Sequence, residues 1–157
     1  MKVLIVYDSQ YGNTEKVAHS MAHAIPGDVT VLHGSKALSS DIESMDVLIV
    51  GSPTQGFRAT NPIKTFLKAI PEGALEGKTV AAFDTRMSAS DVGTGLRFLM
   101  KIGGYAAPGI ADVLKKKGGS LALPPEGFFV TDKEGPLQEG ELQRAASWAK
   151  TIIKEKQ

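Results

Sequence analysis

Short aliphatic runs along the chain alternate with longer stretches in which apolar residues recur every three or four positions. The short runs lie at 3–7, 29–33, 47–51 and 79–83, and most of them show no alternation of apolar and polar residues. A run without alternation is typical of a strand that is buried on both faces of its sheet. We therefore predict four strands here, and a weaker run within 120–130 predicts a fifth.

The stretches between the runs have the spacing of amphipathic helices. Apolar residues within 17–25, 62–70 and 142–153 each form one stripe at helical spacing. Glu141 lies near the start of the last stripe and Lys156 near its end, as the helix dipole favours. This order of elements predicts a doubly wound, three-layer α/β sandwich with a five-stranded parallel sheet in the order 2-1-3-4-5. Ligands of such folds bind beyond the carboxyl ends of the strands.

Two segments interrupt the regular alternation of strands and helices. Residues 84–104 contain many glycine and serine residues, which predicts a loop where only 96–100 has the pattern of a helical turn or two. A long loop at the carboxyl end of a strand is often functional. Further along, Pro124 and Pro125 predict an edge or a break in the fifth strand before Phe128 resumes it.

Size and composition predict a single globular domain. The 157 residues, of which 42% are hydrophobic, predict a single domain over 1–157. No aliphatic run approaches the ~20 apolar residues of a membrane span, so we expect no membrane insertion. Asp8 ends the first run before it could be the core of a secretion signal, which predicts a cytoplasmic protein. The net charge of +1 does not favour nucleic acid as a partner.

The lack of cysteine removes several kinds of chemistry. It excludes disulfides, thiolate zinc sites, cysteine-ligated iron–sulfur clusters and thiol catalysis. Any redox role therefore requires a borrowed organic cofactor. His19 and His23 are spaced like metal ligands on a helix, but Val17 and Met21 define the buried side of that helix, so we predict exposed histidines and no metal site.

A loop rich in hydroxyl and amide groups joins the first strand to the first helix. Its residues are Ser9, Gln10, Tyr11, Gly12, Asn13 and Thr14. Unpaired amides and the dipole at a helix start favour an anion, and the absence of lysine and arginine from 8 to 14 suits a monophosphate better than a nucleoside triphosphate. The spacing alone is equally compatible with Asn13 or Thr14 as a helix cap and Gly12 as a simple turn.

The spacing in this part of the chain resembles the FMN-phosphate signature of the flavodoxin family. The matching positions are Ile5, Val6, Tyr7, Ser9, Gly12, Thr14 and Ala18. Met21 fills the last aliphatic position of the signature. The resemblance implies the flavodoxin-like fold, noncovalent FMN, and an electron carrier that cycles the flavin between oxidised, semiquinone and hydroquinone states. It implies redox partner proteins as reductase and acceptor, a monomer or weak homodimer, and no catalytic acid, base or nucleophile.

The loop after the third strand resembles the flavodoxin loop that packs on the isoalloxazine ring. The residues implied as ring neighbours are Pro53, Thr54, Gln55, Gly56 and Phe57. In the family, the glycine matching Gly56 turns its peptide to accept the N5 proton of the reduced flavin. Many flavodoxins have tryptophan or methionine before this glycine and an acidic residue after it, whereas Gln55 and Phe57 stand here. We expect Phe57 either to stack on the ring or to anchor the loop in the core.

The loop after the fourth strand departs further from the family. The resemblance places backbone groups of Asp84 and the hydroxyl of Thr85 near the pyrimidine edge of the flavin, and Arg86 is a further cofactor-binding candidate. A strand-ending turn capped by Asp84 explains the same residues. A stacking tyrosine is common here in the family, and Met87 or Tyr105 is the candidate replacement. Cations near the ring stabilise an anionic flavin. Because Arg58 and Arg86 lie in the candidate loops, we predict a less reducing hydroquinone couple than that of acidic flavodoxins.

Two other functions fit the predicted fold. An FMN-dependent NAD(P)H:quinone oxidoreductase uses the same loops, and Tyr11 resembles a residue of some of these enzymes, which usually carry an insertion and oligomerise. A phospho-receiver domain shares the strand order but needs an acidic pair after the first strand and an aspartate after the third. Asp8 stands alone, and 51–52 is Gly-Ser, so the receiver is disfavoured.

Overall fold

The computed structural model describes residues 1–88 and 104–156. Its strands are β1 (Lys2–Tyr7), β2 (Asp28–His33), β3 (Val47–Pro53), β4 (Thr79–Met87), β5 (Ser120–Leu121) and β6 (Glu126–Val130). Its helices are α1 (Asn13–Ala24), α2 (Ser39–Glu43), α3 (Asn61–Ala69), α4 (Ala106–Lys116) and α5 (Glu141–Lys156). The helical turn expected at 96–100 lies outside the described residues.

All strand pairings in this sheet are parallel, and the strands follow the order β2-β1-β3-β4, with β5 and β6 both beside β4. β5 pairs with the first two residues of β4 and β6 with its last five. Together they form the fifth strand, interrupted at the predicted prolines. The predicted doubly wound sheet of order 2-1-3-4-5 is therefore confirmed, as is the predicted break.

Two strands are longer than their aliphatic runs. β3 ends at Pro53 and β4 at Met87, whereas the runs predicted ends at 51 and 83. All of the additional residues except Met87 are polar or small, but Ser52 and Asp84 pair with each other in the ladder, and β6 pairs with the end of β4. Backbone pairing on both sides thus extends β4 beyond the segment that hydrophobicity alone defines.

Successive residues of the inner strands enter two hydrophobic cores, one on each face of the sheet. Leu48 and Val50 pack with α3 and α4, while Val47 and Ile49 pack with α1 and α5. Both faces are covered, which explains why the strand runs show no polar alternation. Among the described residues, no helix is long and apolar enough to cross a membrane.

Candidate functional site

Loops from the carboxyl edge of the sheet surround one cavity of about 440 Å³. This volume lies within the range of small-molecule sites. The lining residues are Ser9, Gln10, Tyr11, Asn13, Thr14, Pro53, Thr54, Gln55, Gly56, Thr85, Arg86, Met87, Val130 and Lys133. The structure thus brings the three candidate loops together, and all of the predicted site residues except Gly12, Phe57 and Asp84 line the cavity.

The first loop presents an uncharged set of hydrogen-bond donors at the start of α1. Ser9 Oγ accepts from the amides of Gly12 at 3.0 Å and Glu15 at 3.3 Å, which holds the loop against the first turn of α1. Gly12 has φ 91°, in the left-handed region that favours glycine. Within residues 1–88 and 104–156, four loop amides have no protein acceptor. They belong to Gln10, Tyr11, Asn13 and Thr14.

The side chains of Asn13 and Thr14 do not cap α1. Asn13 Nδ2 donates to the carbonyl of Glu134 at 3.1 Å, and the hydroxyls of Thr14 and Thr85 are 2.8 Å apart. These contacts join the first loop to the segment after β6 and to the end of β4. The simple capping interpretation of Asn13 and Thr14 is therefore wrong, and both residues serve to assemble the cavity wall.

The second loop is a tight turn with an unusual backbone. The amides and carbonyls of Gln55 and Arg58 pair at 2.9 and 3.0 Å, and the two residues between them, Gly56 and Phe57, have φ 54° and 67°. Two positive φ values define the primed turn that glycine and asparagine favour. The loop is fastened because the Thr54 amide donates to the Thr85 carbonyl at 3.0 Å. The side-chain amide of Gln55 also contacts the side-chain oxygen of Gln10.

Phe57 lies in a different place from the rest of the second loop. Its side chain lines a separate surface cleft together with Arg58, residues of α3 and the start of α4. It does not line the cavity, and it is half-buried and belongs to neither hydrophobic core, so the structure shows neither of the two expected positions for Phe57. Met87 does line the cavity, whereas Tyr105 does not.

Asp84 is a buried residue that holds Arg86. The Asp84 carboxylate, which has no exposed surface, accepts from Arg86 Nε at 2.6 Å, Arg86 Nη2 at 2.8 Å and the Ala107 amide at 2.8 Å. Burial raises the pKa of Asp84, and the arginine and the amide oppose that rise. The Asp84 side chain thus does not line the cavity, and it joins the end of β4 to the start of α4.

The guanidinium of Arg86 contacts Tyr105 and Gly127 in addition to the carboxylate of Asp84. Its Cζ lies 3.6 Å from the centre of the Tyr105 ring. A Cβ on Gly127 would lie 2.1 Å from Arg86 Nε and 2.3 Å from Cζ, so only glycine fits beside the group. We call this arrangement of Asp84, Tyr105 and Gly127 around Arg86 the Arg86 clamp. It leaves guanidinium N–H groups beyond the two bonded to Asp84, at a residue that lines the cavity.

Charge around the cavity differs from the sequence-based expectation. Arg58 does not line the cavity, and the charge of Arg86 is compensated by Asp84. Lys133, which the sequence analysis missed, lines the cavity, and its ammonium has no ion-pair partner in the part of the chain that the structure describes. Its position three residues beyond the fifth strand was the available signal. The two arginines on which the predicted redox couple rested therefore give less positive charge than expected.

The remaining titratable residues near the first loop form contacts outside the cavity. His33 Nε2 lies 2.8 Å from Asp8 Oδ1, so the acidic residue expected of a receiver is paired with histidine. The rings of His19 and His23 are 6.5 Å apart, with about half of the His19 side chain exposed. No group of three or more ligating side chains occurs among residues 1–88 and 104–156.

Comparison with known proteins identifies the family. The flavodoxin domain matches residues 4–119, and the chain belongs to the flavodoxin family. It is 33% identical to a flavodoxin of Aquifex aeolicus over 54% of this chain and 49% of that protein. It is 31% identical to an NAD(P)H dehydrogenase (quinone) of Gluconacetobacter diazotrophicus over 52% of this chain and 55% of that protein. The chain thus spans about half the length of these curated relatives.

Solved structures show the same fold over the full length. Oxidised flavodoxin 1 from Bacillus cereus superposes with a TM-score of 0.76 at 19% identity, covering 98% of each chain. An archaeal flavodoxin superposes with a TM-score of 0.69 at 23% identity over the whole of both chains. Family membership implies flavin binding and electron transfer. The uncharged donors of the first loop and the size of the cavity fit a flavin monophosphate.

Proposed function

We propose that the chain binds FMN noncovalently in this cavity and carries electrons between redox partner proteins. The observation that carries this proposal is the group of four amides, at Gln10, Tyr11, Asn13 and Thr14, that have no acceptor among the described residues. Asn13 and Thr14 are buried, and a buried amide is normally paired, so their unpaired amides at a helix start form a ready anion site. A phosphate monoester supplies acceptors for all of them.

The residues divide into two roles along the cavity. The first loop holds the phosphate through its amides and hydroxyls, with Ser9 Oγ fixing the loop in shape. Gln55, Gly56 and Met87 lie on the walls of the same cavity and would contact the ring. Bound FMN supplies the one-electron chemistry. Glycine adopts either sign of φ at little steric cost, so Gly56 is the residue of this turn best suited to a change of peptide orientation.

The described lining of the cavity is compatible with an electron carrier. Among the lining residues that the structure describes, there is no carboxyl or imidazole side chain. The titratable lining residues are Tyr11, Arg86 and Lys133. A protein that only exchanges electrons needs to bind the cofactor, tune it and leave an edge accessible, which these residues suffice to do.

The first prediction concerns the purified protein and FMN. Titration of the apoprotein with FMN should quench flavin fluorescence with one-to-one stoichiometry. Stepwise reduction should then produce a long-wavelength absorption band that is largest at half reduction and absent at full reduction. A protein that stays colourless after incubation with FMN would contradict the proposal.

A second candidate function is an FMN-dependent NAD(P)H:quinone oxidoreductase. It is favoured by the sequence identity to the quinone dehydrogenase of Gluconacetobacter and by Tyr11, an exposed ring at the cavity. The two functions differ in what reduces the flavin. Rapid quinone reduction with NADH or NADPH alone, without a reductase protein, would support the enzyme. No turnover, together with reduction by a flavodoxin reductase, would support the carrier.

A further inference from the structure

We propose that Lys133 is a specificity residue of this site, whose ammonium pairs with the phosphate of FMN and so favours FMN over riboflavin. The proposal rests on the proposed FMN function and adds a cation to a phosphate site whose own loop has none. The sequence from 8 to 14 contains no lysine or arginine. The ligand chemistry is a phosphate monoester, which carries between one and two negative charges near pH 7.

Lys133 lines the same cavity as Ser9 of the first loop and as Asn13 and Thr14 at the start of α1. The segment 131–136, which carries the lysine, is fastened directly to this loop because Asn13 Nδ2 donates to the Glu134 carbonyl at 3.1 Å. Gly135, the residue after Glu134, also lies close to Asn13. A Cβ on Gly135 would lie 2.7 Å from the Asn13 side-chain amide atoms.

The segment 131–136 has internal hydrogen bonds that define its shape. The amide and hydroxyl of Thr131 both donate to the Pro136 carbonyl, at 2.8 and 3.0 Å. The Gly135 amide donates to the Asp132 carbonyl at 2.9 Å. Lys133 is therefore presented from a closed turn rather than from a long open loop, which lowers the entropy lost when its ammonium binds a ligand.

The other charges near the cavity leave the Lys133 ammonium without an ion pair. Arg86, the other cation on the cavity wall, is held by the buried Asp84. Lys133 lies between Asp132 and Glu134 in the chain, but neither carboxylate forms an ion pair with it among the described residues, and Asp132 accepts from the Lys133 backbone amide at 2.7 Å. Among the described lining residues, Lys133 is the cation whose charge is not compensated by a carboxylate. An anion in the first loop is its available partner.

The test compares FMN with riboflavin, because the two differ in the phosphate alone. In Lys133→Gln, we expect the Kd for FMN to rise roughly tenfold, a value between those of an exposed ion pair and a charge-assisted hydrogen bond. The Kd for riboflavin should stay within about twofold. Lys133→Arg should retain most of the FMN affinity. Lys150→Gln makes the same charge change on the exposed face of α5 and should change neither Kd.

Two further measurements separate a phosphate contact from a structural effect. The Kd for FMN should rise with salt concentration more steeply in the natural protein than in Lys133→Gln, because one ionic contact is missing in the variant. Asn13→Ala removes the hydrogen bond to Glu134. In this background, Lys133→Gln should reduce the affinity for FMN by a smaller factor than it does in the natural protein. Equal losses for FMN and riboflavin, or no loss for FMN, would overturn the proposal.

Inorganic phosphate distinguishes failure of this inference from failure of the proposed function. Phosphate should shift the amide resonances of the first loop, and Lys133→Gln should weaken that binding. If the natural protein binds phosphate in this way but neither flavin, the proposed function is wrong and the role of Lys133 as an anion ligand stands. If FMN binds and Lys133→Gln is without effect on either FMN or phosphate, the lysine inference alone is wrong.

Discussion

Replacing Arg86 by methionine is expected to lower the free energy of unfolding at neutral pH by about 3–5 kcal/mol, because it leaves a buried carboxylate without its ion-pair partner. Asp84 has no exposed surface and takes two hydrogen bonds from Arg86, beside those from the Ala107 amide and the Thr54 side chain. Methionine keeps much of the length of the arginine stem but removes the charge. Urea unfolding can be followed through Trp148, the single tryptophan, which packs against Phe83 and Phe128.

The same variant should show a distinctive pH dependence. Burial raises the pKa of Asp84, and loss of Arg86 removes the main opposing effect, so the pKa in the folded variant should rise further. Between the unfolded pKa near 3.9 and this raised value, the folded state binds more protons than the unfolded state. Stability therefore falls as the pH rises through that window. The deficit of the variant relative to the natural protein should shrink as the pH is lowered from 7 towards about 4.

A double variant provides the control for this interpretation. The double variant Asp84→Asn, Arg86→Met has neither charge. Its free energy of unfolding should therefore stay below that of the natural protein by an amount that does not shrink on acidification, unlike that of Arg86→Met alone. If Arg86→Met loses the same stability at every pH between 4 and 7, the Asp84 carboxylate is not the cause of the loss. The ion pair would then contribute only through packing.

Most of the fold could be predicted from local patterns, and the exceptions have one physical cause. Uniform aliphatic runs marked the inner strands because both of their faces are covered by helices. The ends of β3 and β4 were missed because backbone pairing with neighbouring strands, rather than side-chain hydrophobicity, holds residues such as Ser52 and Asp84 in the sheet. The short helix α2 was also missed, since its five residues are too few to show a period.

In the candidate site, too, the features that depend on local sequence could be predicted and those that depend on distant contacts could not. The first loop was predictable because its residues are consecutive and precede a helix. The local sequence therefore shows both their spacing and their hydrogen-bonding groups. The roles of Asp84 and Lys133 were not, because each depends on contacts between distant parts of the chain. Asp84 bonds the start of α4, and the segment carrying Lys133 docks on Asn13, 121 residues from its partner Glu134. Sequence spacing contains no information about such docking.

Gly127→Ala tests the Arg86 clamp from the opposite side of the guanidinium. The added Cβ would lie 2.1–2.6 Å from three guanidinium-group atoms, and β6 is held in register with β4, where Gly127 is opposite Asp84. The arginine therefore has to leave its position, which breaks the ion pair. We expect a loss of about 3–5 kcal/mol, similar to that of removing the arginine charge.

The control is a double-variant cycle in which the colliding group is absent. In an Arg86→Ala background, Gly127→Ala should cost less than about 1 kcal/mol, because the space taken by the guanidinium is empty. Gly109→Ala is the matched glycine change, since Gly109 is exposed in α4 with nothing within 4 Å of its added Cβ, and it should raise stability by about 0.5–1 kcal/mol. Equal losses from Gly127→Ala in the two backgrounds would mean that β6 itself rejects the methyl group and that the guanidinium is free to move.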